Sequence, residues 1–160
     1  MSDQPDVESP PRGRRHNREA AIRSTAFGAL VAGGLCLYFG LVWSADAPAS
    51  ASPQATEMWY FVDHVFQWWL RIIGVGFLAG AGLSAMGNRL GALVTAADEA
   101  AFALLMLAMA VNAYLEARAM GVFDATVILF GVLLVVGLSA ARYSWSAFLV
   151  SRPAGHEQTS

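Results

Sequence analysis

With 56% hydrophobic and only 14% charged residues among 160, the chain is too apolar for a water-soluble domain, and its mean hydropathy of +0.48 agrees. The formal net charge of -2 supplies no basic surface for nucleic acid, and a single cysteine, Cys36, excludes an internal disulfide or a cysteine-rich metal or iron–sulfur site. What remains is an all-α, polytopic integral membrane protein.

Residues 1–25 carry prolines, charges of both signs and few apolar side chains, so they are expected to form a disordered, basic cytoplasmic tail. Arg12, Arg14, Arg15, Arg18 and Arg23 gather there, just before the first apolar run. Residues 26–44 form the first expected span. A basic start, an apolar run and Ala49-Ser50-Ala51 also fit a cleaved signal peptide, but the run is longer than the usual ~7 to 15 residues of such a leader. Residues 44–57 are small, polar and free of arginine, as expected of an external loop.

Spans follow at about 59–86 and 91–117, separated by a tight turn at Gly87-Asn88-Arg89, and a fourth at 124–142 ends on Arg142. Glu116, Arg118, Gly121 and Asp124 mark the loop before the last span, and 151–160 form a second disordered cytoplasmic tail. The spans together make a transmembrane domain over 26–150. Arg12, Arg14, Arg15, Arg18, Arg23, Arg89, Arg142 and Arg152 fall on one side and Arg118 on the other, so the positive-inside rule puts both termini in the cytoplasm. Four helices then form two hairpins. All 10 basic residues are arginine and alanine is abundant, a bias of GC-rich bacterial genomes, which makes a bacterial inner membrane the expected setting.

The strongest polar feature is a ladder on the second span. Asp63, Gln67 and Arg71 recur every four residues on one helical face, with His64 close to it. An acid, a histidine and an arginine on one membrane helix suit a proton path or an anion contact, because buried charge there is costly unless paired or used. The competing reading sets Asp63 and His64 among headgroups, with Arg71 reaching toward Gln67, Asp63, Glu116 or Asp124. Weaker polar candidates are Asp98, Glu99, Asn112 and Glu116; adjacent carboxylates diverge by about 100° on a helix, so Asp98 and Glu99 are no ready-made acid pair.

Gly76, Gly80 and Ser84 repeat small residues every four positions, a pattern that lets membrane helices approach closely. The stretch Leu70-Arg71-Ile72, Gly74, Phe77, Gly80 faintly resembles the first helix of DoxX-type small four-helix membrane proteins. It is short and falls in the second helix, and it assigns no family.

His64 is the sole histidine of the membrane region, so a bis-histidine haem within one chain is excluded, and no cofactor or metal is expected. Met106 and Met109 read as core packing. Lacking a recognisable catalytic motif, the chain leans away from enzyme chemistry. Two functions are expected in order: an accessory, scaffold or assembly subunit acting through helix packing, then a small transporter or ion- or proton-coupled component using the ladder. The expected partners are the lipid bilayer and either a second copy or another membrane protein.

Overall fold

The computed structural model describes residues 12–42, 52–121 and 125–151, which form α1 (Arg12–Val42), α2 (Pro53–Ala85), α3 (Arg89–Met120) and α4 (Ala125–Val150). All four helices are long and apolar enough to cross a membrane, the make-up of an integral membrane protein.

Three helix ends differ from the sequence reading. α1 begins at Arg12, directly after Pro10-Pro11, so 12–25 is helical where disorder was expected. Once an apolar span is nucleated, arginine, glutamate and alanine extend it at little cost. α2 starts at Pro53 instead of 59. The Ser52 carbonyl accepts from the Thr56 N–H at 2.9 Å and from the Thr56 hydroxyl at 3.0 Å, while a proline in the first turn gives up an N–H that has no intrahelical partner. α4 runs past Arg142 to Val150 because Ser144 and Ala147 turn inward and are buried. Residues 1–11, the loop 43–51 with Ala49-Ser50-Ala51, Asp124 and the tail 152–160 lie outside the described residues.

The turn between α2 and α3 follows its residues closely. Gly87, at φ 73°, takes the left-handed conformation that ends α2, with Gly87 N–H on the Ser84 carbonyl and Asn88 N–H on the Leu83 carbonyl. The Asn88 side chain then caps α3 by accepting from Leu90 N–H at 3.0 Å. Gly121, at φ 67°, closes the far end of α3 in the same left-handed conformation.

α1 packs on α2, α2 on α3 and α3 on α4; α1 also touches α3 and α4, whereas α2 and α4 do not meet. Glycine permits the first of these contacts. A Cβ on Gly33 would stand 3.0 Å from the Gly74 carbonyl oxygen, and one on Gly74 would stand 2.8 Å from Leu37 Cγ. The core gathers Ala29 and Cys36 of α1 with Leu70, Ile73, Phe77 and Ala81 of α2, and Ala101, Phe102 and Leu105 of α3 pack against it. Large apolar side chains such as Leu41, Ile72, Leu104 and Val135 remain exposed on the outside, as a lipid-facing surface requires.

Candidate functional site

The seam between α2 and α3 carries the unusual chemistry. The helices are antiparallel neighbours across the turn, and three pairs meet in register: Ser84 with Gly91, Gly80 with Thr95, and Gly76 with Asp98. A Cβ on Gly80 would stand 2.6 Å from Thr95 Oγ1, and one on Gly76 would collide with the Asp98 carboxylate. Gly76 and Gly80 thus each make room for a polar side chain of α3. Gly91 returns the relation, since a Cβ there would collide with Ser84 Oγ and the Ser84 backbone nitrogen.

Ser84 and Thr95 are fully buried, and neither hydroxyl has a hydrogen-bond partner. One oxygen each of Asp98 and Glu99 is likewise buried and unpartnered. Leaving a buried polar atom unpaired costs about 1 to 3 kcal/mol, more for a charged group, so three such atoms on the α2–α3 seam and a fourth on the adjoining face of α3 ask for a use. Asp98 lies nine residues into α3, about 14 Å from its start.

Neighbours on the helix, the two carboxylates serve different interfaces. Asp98 faces Gly76 of α2 and lies within electrostatic reach of Cys36 of α1. Glu99 turns to α4, where the buried Ser144 hydroxyl donates to its carboxylate. The divergence expected of adjacent helical residues therefore brings residues of all four helices around two acids, Gly76 of α2 through its bare backbone. Thr95 precedes them by three and four positions, one turn below on the same face.

The Asp63 ladder is arranged differently. Gln67 Nε2 donates to Asp63 Oδ2 at 2.8 Å, and Trp68 Nε1 donates to His64 Nε2 at 2.9 Å. Arg71 leaves the ladder: its Nε donates to the Gly40 carbonyl of α1 at 2.7 Å, and its guanidinium lies 5.2 Å from the Trp68 ring centroid. Its partner is thus a backbone oxygen of the neighbouring helix, where the sequence pointed to the side chains of Gln67, Asp63, Glu116 or Asp124. Gly40 accommodates it, because a Cβ there would stand 3.0 Å from Arg71 Cγ. The ladder ties one helix to itself and to α1.

The small-residue face of Gly76, Gly80 and Ser84 is consumed by α3 of the same chain. Asn112 Nδ2 donates to Glu116 Oε1 at 2.9 Å on the exposed side of α3, far along the helix from Asp98. Met106 is buried at 2% exposure, in keeping with core packing. Among the described residues no three His, Cys, Asp or Glu side chains converge as metal ligands.

Sequence reasoning ranked Asp98 and Glu99 below the ladder and missed Thr95, Gly91 and Ser144. The available signal was the spacing of Thr95 to both acids, opposite the every-fourth small residues of α2. No family model, curated protein or solved structure matches this chain.

Proposed function

We propose that the chain is a small proton-handling component of a bacterial inner membrane, in which Asp98 and Glu99 take up and release the proton. The observation that carries this reading is the set of unpartnered polar atoms on the α2–α3 seam and the adjoining face of α3. Among the described residues, the buried side-chain oxygens and nitrogens without a partner belong to Ser84, Thr95, Asp98 and Glu99. Hydroxyls both donate and accept, so Ser84 and Thr95 form a polar row from the α2–α3 turn toward the acids. Ionisable residues within membrane spans mark ion paths and proton relays by default. A proton needs one carboxylate oxygen, which this seam supplies.

In this reading α1–α2 and α3–α4 are two hairpins with both termini cytoplasmic, supported by the arginine distribution. The α2–α3 turn then faces the cytoplasm, and the polar row opens from that side. The test is a reconstituted vesicle preparation with an interior pH dye and an imposed potential. Wild type acidifies the lumen, Asp98→Asn and Glu99→Gln lose that flux, and Asp63→Asn keeps it. Equal flux in wild type and Asp98→Asn overturns the reading.

An accessory role is the second reading, and α4 favours it. Of its 26 residues only Gly137, Ser144 and Ala147 are buried, and Val132 and Val136 lie exposed one turn apart. A subunit docked there would dissociate from Val132→Trp and Val136→Trp variants in native mass spectrometry of host-membrane extracts.

A further inference from the structure

A proton on Asp98 satisfies one oxygen of the α2–α3 seam and leaves the Thr95 hydroxyl as it was. Thr95 is fully buried, its Oγ1 has no hydrogen-bond partner, and it rests on the bare backbone of Gly80, where a Cβ would stand 2.6 Å away. Asp98 lies three residues on, with its carboxylate against the bare backbone of Gly76 and one oxygen buried without a partner. Side chains three apart on a helix are neighbours, their Cβ atoms about 5–6 Å apart. A hydroxyl and a carboxylate therefore line one turn of the seam.

The charge around Asp98 is unbalanced when it ionises. Among the described residues no basic side chain stands against it: Gly76 faces it from α2, the Cys36 thiol of α1 is within electrostatic reach, and Glu99 turns away to Ser144 of α4. An ionised carboxylate inside a membrane domain is costly without a counter-charge. A proton or a bound cation supplies one, and only the cation also engages the hydroxyl. Carboxylate and hydroxyl oxygens are hard ligands, suited to hard cations and not to zinc or copper. One carboxylate balances one positive charge, which selects a monovalent ion. Na+ is close in size to Ca2+, which holds oxygen at about 2.3–2.6 Å, so one such ion spans two oxygens about 5 Å apart. The close approach of α2 and α3 favours it over the larger K+.

We propose that Thr95 and Asp98 form a Na+ site on the α2–α3 seam, with Thr95 Oγ1 and the Asp98 carboxylate as ligands and water completing the shell, and that Na+ exchanges there with the proton. Sodium binding in this form rests on the proton-handling reading of Asp98 and names the ion that its proton is exchanged for. Charge balances at each exchange, because one Na+ enters as one proton leaves. Ser84, fully buried and unpartnered nearer the α2–α3 turn, places another hydroxyl oxygen on the route in.

Carbodiimide labelling of the full chain in detergent tests the site, since dicyclohexylcarbodiimide attacks a protonated membrane carboxyl and a Na+-bound carboxylate is shielded. NaCl at about ten times its Kd slows labelling of Asp98 roughly tenfold by mass action, and choline chloride at the same concentration leaves the rate unchanged. Thr95→Val is labelled in choline chloride at the wild-type rate but loses the protection by Na+, and Thr95→Ser keeps it. Equilibrium dialysis against radioactive Na+ gives a second readout, with stoichiometric retention by wild type and none by Thr95→Val or Asp98→Asn. Equal labelling in NaCl and choline chloride, protection that survives in Thr95→Val, or no retained Na+ would overturn the site. Labelling of Asp98 that falls as pH rises and ignores Na+ overturns the exchange alone and leaves the proton-handling reading standing. Absence of labelling at any pH removes that reading and the exchange with it.

Discussion

The Asp98 carboxylate occupies the space that a side chain at Gly76 would need. An acid inside a helix-packed membrane domain is thus held by the absence of a side chain on the facing helix. Gly76→Ala forces the carboxylate to move, while Gly82, one and a half turns further along α2, has nothing within 4 Å of a built Cβ. We expect Gly76→Ala to lower proton flux and to cost about 1 to 3 kcal/mol of stability through overpacking. Gly82→Ala should keep flux and gain up to about 1 kcal/mol from helix propensity. Vesicle flux and detergent unfolding of the two variants decide this.

Gly91 makes the sharpest demand on stability. A Cβ there meets the Ser84 backbone and would stand 2.7 Å from the Gly80 carbonyl oxygen, atoms that no side-chain rotation can clear. Gly91→Ala should separate α2 from α3 and lower the thermal midpoint, whereas Gly34→Ala, with open space around it, should not. Similar midpoints for the two variants would contradict the seam as described.

Arg71 has a structural role in this account. Removing its bond to the Gly40 carbonyl with Arg71→Met should destabilise the domain by about 1 to 2 kcal/mol, within the range for membrane hydrogen bonds. Proton flux in folded Arg71→Met protein should match wild type. A folded variant without flux would return the ladder to the functional site.

Topology is open to direct labelling. In a Cys36→Ala background, Gln54→Cys and Met86→Cys place thiols at exposed positions near opposite ends of α2. An impermeant maleimide added to intact cells should label Gln54→Cys alone, and Met86→Cys only after the membrane is opened. The reverse pattern would invert the proposed orientation.

Much of the architecture is written in local chemistry. Four apolar runs and the Gly87-Asn88-Arg89 turn are visible because helix length, left-handed glycine and an asparagine cap act over a few residues. The entry into α1 was less visible, since composition alone made 12–25 look disordered while an adjoining helix was able to extend through it. The site was least visible. Regular spacing drew attention to Asp63, Gln67 and Arg71, yet that spacing lets Gln67 reach Asp63. Asp98 and Glu99 gain their interest from atoms they fail to find, and this depends on how α2, α3 and α4 pack.

Infrared difference titration of the reconstituted protein examines the two acids most directly, because protonated and ionised carboxyl groups absorb separately. The account predicts a carboxyl band that appears and disappears reversibly with pH, that loses one component in Asp98→Asn and another in Glu99→Gln, and that survives in Asp63→Asn. A reversible band untouched by either seam substitution, or none at all, would contradict the exchange of protons at Asp98 and Glu99.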